Sequence, residues 1–289
     1  MNNSAPSLYK NWANYDQREF SYSLANDLDR CGKYAELTRI QGLTKIVESA
    51  AFKFGQVVEA SVVHHYQTGA DPEAEFNNRW QYWADKVLEY GKYDANWNTL
   101  LIKGRSLMRE FLRQKPSLPD LSKAIFSEKM VTKDWTPYSD LIYIADAYMK
   151  DRSLLLDIKT SHAKYDDDEE SYPMEYPERR WVGMDPQLRV GALVSGIKKV
   201  AFLVFVKTKE PRIQFLEGVV SDEGVHEINE WLHDQHDKLI ARRFYRRTGW
   251  RFPNTHCSGC DVFAECVGNQ PLARATLKQR ESKGFEEIF

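Results

Sequence analysis

Residues 141–161 read LIYIADAYMKDRSLLLDIKTS. Two short apolar runs flank a polar turn, which predicts two antiparallel strands joined at Asp151 and Arg152. A two-residue loop at that point sets Asp146 directly opposite Asp157. Side chains alternate along a strand, so Lys159 shares a face with Asp157 while Ile158 points the other way. Two acids and a lysine therefore converge at the end of an otherwise apolar hairpin. Like charges set opposite each other destabilise a sheet unless something positive lies between them, and a divalent metal ion is the obvious candidate.

The 289 residues are 42% apolar and 28% charged, the composition of an ordinary globular protein, and they suit one compact domain with elaborations. A formal charge of -2 carries no global nucleic-acid signature, so any such binding rests on a local basic surface. The N-terminus MNNSAPSLYKNW lacks a signal-peptide pattern, and the apolar run Val200 to Val206 is too short to cross a bilayer. The expectation is a cytoplasmic protein with no membrane partner. In that compartment four cysteines favour metal ligation or buried thiols over disulfides.

Upstream of the hairpin, residues 20–34, FSYSLANDLDRCGKY, predict a helix capped by Ser and carrying Leu24, Leu28 and Cys31 inward. Residues 44–66 predict a second helix, with Ile46, Val47, Ala50, Phe54, Val57, Val58, Ser61 and Val62 as its apolar stripe. Glu59 lies beside that stripe, a solvated residue unless the fold brings it to the hairpin's acids. His64 and His65 share this ambiguity. Residues 75–115 read as two helices separated near Gly91 to Asn98, their aromatics serving mainly as core with base stacking the lesser use. After a turn at Pro116 to Pro119, residues 122–133 lead as a strand into the hairpin.

Downstream, residues 162–181 hold a dense acidic run without helical or strand period and read as a long loop, with a gate over the neighbouring site as the sharper alternative. Asp185-Pro186 supplies an N-cap and first-turn proline for a helix ending at Gly196, with Gln187 in its first turn. Residues 199–206 and 212–220 are strands, giving an α/β fold with a sheet of about five strands flanked by helices. A last helix spans Asp222 to Arg247 and ends in ARRFYRR, whose Arg242, Arg243, Arg246 and Arg247, with Arg251, could grip phosphates. Cys257, Cys260 and Cys266 then follow a C-x2-C-x5-C spacing. Three thiolates need a fourth ligand to complete a zinc site or hold an iron-sulfur cubane, and Cys31 is the remaining cysteine.

The ordered set of Asp146, Asp157-x-Lys159 and Gln187 resembles the PD-(D/E)XK nuclease superfamily, in particular its RecB-like exonuclease branch. One early cysteine followed by C-x2-C-x5-C is similar to the iron-sulfur subgroup of that branch, which includes AddB-like nucleases and CRISPR-associated or phage RecB-like exonucleases. The opening FSYSLANDLDRCGKY resembles the family's first helix, and the similarity spans about residues 20–267. It implies a restriction-endonuclease-like core in a single nuclease domain, residues 1–289. Within it lie a helical part at 20–115, a catalytic core at 122–220, and a C-terminal helix with the cysteines at 222–267.

Carried over residue by residue, the resemblance makes Asp146, Asp157 and the Ile158 carbonyl ligands of Mg²⁺ or Mn²⁺, with Lys159 orienting the attacking water. Glu59, four residues after Gly55, becomes an additional metal ligand, with His64 as the alternative. Gln187 matches the family's helix glutamine, but the tyrosine usual four residues later is Gly191. Cys31, Cys257, Cys260 and Cys266 would hold a 4Fe-4S cluster, with Zn²⁺ as the alternative, joining the two ends of the chain.

The implied activity is a metal-dependent deoxyribonuclease, an exonuclease acting on single-stranded DNA or duplex ends in recombination, repair or phage DNA processing. The alternative is a nuclease-derived DNA-binding or assembly subunit with weak or no cleavage. DNA is the expected partner, with a homo-oligomer or a recombination or repair protein compatible with the same motifs.

Overall fold

The protein is described from a computed structural model, which describes residues 18–91, 94, 96–151, 153–161, 179–247 and 255–280. In chain order the elements are β1 (Glu19–Ser21), α1 (Tyr22–Arg30), α2 (Gly32–Ala35), a π-turn (Glu36–Ile40), β2 (Leu43–Lys45), β3 (Glu48–Ser49), α3 (Ala50–Thr68), α4 (Pro72–Gln81), β4 (Leu88–Glu89) and α5 (Trp97–Gln114). Then follow β5 (Ala124–Thr132), β6 (Asp140–Met149), β7 (Leu155–Ser161), α6 (Arg179–Val182), α7 (Pro186–Ser195), β8 (Lys199–Val206), β9 (Arg212–Val219), α8 (Asp222–Ile240), α9 (Thr255–Ser258), α10 (Phe263–Cys266), α11 (Gln270–Thr276) and β10 (Leu277–Gln279).

The main sheet has six strands in the order β1-β6-β7-β8-β9, with β5 also paired to β6. It is mixed: β1 runs parallel to β6, β6 antiparallel to β7, β7 parallel to β8 and β8 antiparallel to β9. The sixth strand beyond the expected five or so is the short β1. The described residues fall into two compact units, one within Met1–Ile46, Val131–Tyr143 and Glu227–Phe289, the other within Val47–Met130 and Ile144–His226.

In the second unit α3 supplies Phe54, Val57, Val58 and Val62, which pack with Phe76 and Trp80 of α4, Leu107 and Phe111 of α5, and Leu156, Ile158, Leu203 and Phe205 of the sheet. Burying each large apolar side chain contributes roughly 1.5–3 kcal/mol. Helix ends follow from local chemistry. Ser49 Oγ accepts the Phe52 N–H at the start of α3, and Gly69 closes it in the left-handed conformation at φ 76°. Asp185 caps α7 ahead of Pro186, and Gly196 ends it at φ 74°.

The first unit is built around a small polar and aromatic core in which Phe20 stacks on Trp135 at 5.6 Å and His236 Nε2 lies 3.0 Å from Ser139 Oγ. Its chain segments from the two ends of the sequence meet. Strand β10 pairs antiparallel with β2, and Leu37 packs with Val262, Ala264, Ala273 and Leu277.

Four helix boundaries differ from the sequence expectation. Residues 19–21 pair with β6 instead of joining a helix, and the helix that follows breaks at Cys31, whose backbone is extended at φ −170°, ψ 114°. Cys31 is half-buried, not a core residue. The second helix starts at Ala50 rather than residue 44, because Leu43–Lys45 pair with β10 and Glu48–Ser49 with β4; Ile46 is 44% exposed. The last helix stops at Ile240, where Arg242 turns left-handed at φ 51°, so ARRFYRR is not helical. Its backbone at 243–245 instead lies against Gly32, and Lys33 N donates to Tyr245 O at 3.1 Å. The acidic run at 166–170 and the hairpin residue Arg152 lie outside the described residues. Among the described residues no helix is long and apolar enough to cross a membrane.

Gly104 in the middle of α5 is a packing requirement. A Cβ there would overlap the Phe76 ring, which is fully buried and held between Phe54 and Trp80 at centroid distances of 5.6 and 6.2 Å. Overpacking costs about 1–3 kcal/mol, against about 1 kcal/mol gained in helix propensity. Gly104→Ala is therefore expected to lower stability by up to about 2 kcal/mol, measured as a reduced urea midpoint at unchanged m-value.

Candidate active site

In the second unit, β6 and β7 pair with Ala147 opposite Leu156 and Tyr148 opposite Leu155, and Met149 N donates to Leu154 O at 2.9 Å. This is the register that a two-residue loop produces, and it brings Asp146 to the end of the ladder facing Asp157. The Asp146 carboxylate reaches across to β7, where its Oδ2 accepts the Ile158 N–H at 2.7 Å. β7 is an inner strand, with Asp157 beside Phe202 and Lys159 beside Val204 of β8, and Asp157 is only 1% exposed.

Gln187 ties the strand to α7. Its Nε2 donates to Asp157 Oδ1 at 2.8 Å, and its Oε1 accepts from Lys159 Nζ at 3.1 Å. Lys159 Nζ also stands 2.7 Å from Asp157 Oδ2 as an ion pair. The Asp185 cap, accepting from Leu188 N at 3.0 Å, fixes the first turn that carries Gln187.

α3 delivers Glu59. A Cβ on Gly55 would lie 3.1 Å from Thr160 Oγ1, so a glycine here lets the helix approach β7 closely, and Glu59 follows about one turn later. His64 turns elsewhere, its Nε2 3.9 Å from Glu75 Oε2. Of the two readings for the additional acid-site residue, the structure brings Glu59 to the carboxylates. Gly191 is buried on α7, where the family resemblance expects a tyrosine.

The charge balance of this cluster is unfavourable. Glu59 is pushed up to about 7 by burial and by Asp157. Asp146 rises to about 7 through burial and Glu59, and Asp157 to about 7 through burial and Asp146. Burial pulls the Lys159 ammonium down, but Asp157 and Asp146 outweigh it and hold it above its ordinary value. One ammonium thus faces three mutually repelling carboxylates in a largely desolvated place.

In the first unit all four cysteines are free and half-buried. Burial pushes the Cys260 thiol up, and Cys31 adds to this from the other end of the chain, so the two lie within electrostatic reach. Cys31 Sγ contacts Tyr245 O at 3.9 Å, and Cys260 N donates to Cys257 O at 3.2 Å. Arg246 donates from Nε to Cys266 Sγ at 3.3 Å and from Nη2 to Cys266 O at 2.6 Å. Arg247 Nη1 donates to Arg30 O at 3.2 Å. Arg246 and Arg247 are therefore engaged within the protein although all four of Arg242, Arg243, Arg246 and Arg247 are exposed, and Arg251 lies outside the described residues. Among the described residues, no three His, Cys, Asp or Glu side chains converge on one point as a metal site in their present rotamers.

The sequence reading passed over two features. The hydroxyl of Tyr148, on the same strand face as Asp146, donates to Glu128 Oε2 at 2.6 Å. Lys207 and Asp94, 3% and 1% exposed, form a buried pair at 3.0 Å shared with Lys103. A lysine closing the apolar run KVAFLVFVK was the available signal.

No family model matches the sequence, and no curated protein matches it significantly. Among solved structures the chain is similar to a protein from Eubacterium rectale named provisionally as an exonuclease, at 14% identity over 86% of this chain and 91% of that one, with a TM-score of 0.51. A phage-related exonuclease from Haemophilus somnus aligns at 13% identity over 69% of this chain and 97% of that one, but its TM-score of 0.27 carries no argument. The first likeness shows a common fold. The mixed sheet of six strands flanked by helices is consistent with the restriction-endonuclease-like class expected from the sequence.

The raised carboxylates have a stability consequence. An acid whose folded pKa exceeds its unfolded value stabilises the fold fully below the unfolded pKa and loses that contribution as pH rises through the folded one. In metal-free buffer, stability is therefore expected to fall between about pH 4 and pH 7 and to level off above that, the window set by Asp146 and Asp157 rising from 3.8 to about 7. Thermal melts should show a smaller loss in Asp146→Asn, and added Mn²⁺ should raise the wild-type midpoint at alkaline pH more than that of the variant.

Proposed function

We propose that this protein is a metal-dependent nuclease that hydrolyses phosphodiester bonds in DNA, acting as an exonuclease. The observation that carries the reading is the buried set of Glu59, Asp146 and Asp157 around Lys159 and Gln187. The common fold with a structure named provisionally as an exonuclease supports it.

The donor chemistry fits a hard divalent cation such as Mg²⁺ or Mn²⁺, since three carboxylates raise one another's pKa and the Ile158 carbonyl lies on the same strand. When bound, such an ion supplies a hydroxide near neutral pH and neutralises charge growing on the phosphate. The side chains divide the remaining work. Lys159, kept protonated by Asp157 and Asp146, offers a charged donor to the attacking water and to the phosphate oxygen. Gln187 holds both Asp157 and Lys159, fixing the angle between acid and ammonium. The Ile158 N–H orients Asp146.

For the four cysteines the proposal is a 4Fe-4S cluster, with Zn²⁺ as the alternative. Four free, half-buried thiols in one unit, with Arg246 donating to Cys266 Sγ, fit a thiolate site of either kind. Such a site would reinforce the junction of the chain ends already made by β2 and β10. Free DNA ends in recombination, repair or phage DNA processing are the proposed substrates.

End-labelled single-stranded and duplex DNA should be degraded with Mg²⁺ or Mn²⁺ and left intact after chelation. Lys159→Ala is expected to lower the rate about 10²–10³-fold, and Asp157→Asn to abolish it; full activity in both variants excludes this site. Anaerobically purified protein should be brown and contain iron and sulfide in proportion to the four cysteines. Colourless protein with one zinc per chain would select the alternative.

A further inference from the structure

The second unit exposes two rings, Phe52 and Tyr82, joined through Trp83, which is partly buried against the core. Phe52 is 63% exposed and Tyr82 is 64% exposed, although both are large and apolar. Single exposed apolar residues are ordinary, but these are connected. Lys53 Nζ lies 5.7 Å from the Phe52 ring centre and 4.8 Å from that of Trp83. Tyr82 meets Trp83 edge to face at 5.1 Å, and Lys86 Nζ stands 4.9 Å from the Tyr82 ring. Phe52, Lys53, Trp83, Tyr82 and Lys86 therefore form one continuous run of ring faces interleaved with ammonium groups.

This run is aligned with the carboxylates. Phe52 precedes Glu59 by seven residues on α3, so the two share a helix face about 10 Å apart. Gly55, between them, is the point at which α3 closes on Thr160 of β7. Phe52 thus lies beyond the C-terminal end of β7, the strand that carries Asp157 and Lys159. The local field is not strongly positive. Lys53 is paired with Glu48 at 2.8 Å, and Asp85 and Glu89 flank the rings. Recognition here must come mainly from ring faces, with the ammonium groups secondary.

We propose that this run is a stacking platform for single-stranded nucleic acid, on which unpaired bases lie against Phe52 and Tyr82 within a few nucleotides of the carboxylate site. Every base has a π-face, so such a surface is tolerant of sequence, whereas bases stacked and paired inside a duplex cannot present their faces to it. The assignment rests on the nuclease reading and sharpens it, selecting single strands or frayed ends over intact duplex.

The test uses the full chain carrying Asp157→Asn to prevent cleavage, with fluorescence anisotropy of a labelled oligothymidylate. Adding Phe52→Ala and Tyr82→Ala is expected to raise Kd about tenfold for each ring removed, while Phe52→Trp retains affinity. Both positions are exposed, so an unchanged melting temperature should accompany the loss. An abasic strand of equal length should bind the parent as weakly as the oligothymidylate binds the double variant. Equal affinity of parent and double variant for the oligothymidylate overturns the platform, as does equal binding of abasic and base-bearing strands. Cleavage of the same oligonucleotide by wild-type protein with Mg²⁺ is measured in parallel. Cleavage with unaltered binding in the double variant removes the platform alone; neither binding nor cleavage by wild type removes the nuclease reading with it.

Discussion

Three carboxylates buried around a single ammonium are the constraint on which the second unit depends. Desolvation and mutual repulsion push Glu59, Asp146 and Asp157 up together, and Lys159 compensates only part of that charge. Such a cluster persists because several elements fix it at once. The β6–β7 register sets Asp146 at Asp157, Gly55 lets α3 bring Glu59 against β7, and the Asp185 cap presents Gln187 to both Asp157 and Lys159. The large apolar core below, from Phe54 to Phe205, supplies the stability that offsets this unfavourable electrostatics.

The first unit solves a different problem. Its segments are distant in sequence, and they are joined by the β2–β10 ladder, by the small core around Leu37, and by the backbone at 243–245 resting on Gly32. The cysteines lie in this unit, and Arg246 is committed to one of them. That commitment redirects a residue whose sequence context, ARRFYRR, suggested phosphate binding. Arg242, Arg243, Arg246 and Arg247 are all exposed, and Arg246 and Arg247 are also bonded within the protein.

Much of the second unit was legible in the sequence because its signals are local. The hairpin register follows from loop length and alternation, α7 from an Asp-Pro start and a Gly stop, β8 from the apolar run VAFLVFV, and β9 from the mixed run RIQFLEGV that follows it. What was not legible depends on tertiary partners. Residues 20–21 and 44–45 read as helical in isolation but lie in strands that find partners, and the last helix ends where Arg242 turns left-handed to bring the following backbone to Gly32. Among the site residues, Glu59 was ambiguous because periodicity places it beside the core without saying what stands opposite. The aromatic segment read mainly as core divides in the structure: Phe76 and Trp80 are buried, while Tyr82, two residues after Trp80, is exposed. Composition alone cannot tell these apart, whereas spacing can: Phe76 and Trp80 are four residues apart on one face and Tyr82 is about 200° round the helix from Trp80.

The most direct test of the central claim is the position of bound Mn²⁺, located by anomalous diffraction from crystals of the protein grown with the ion. The expected result is a peak coordinated by Asp146 and Asp157, with Glu59 or the Ile158 carbonyl completing the protein ligands. Mn²⁺ bound elsewhere, with these carboxylates remaining bonded only to Gln187, Lys159 and the Ile158 amide, would contradict it.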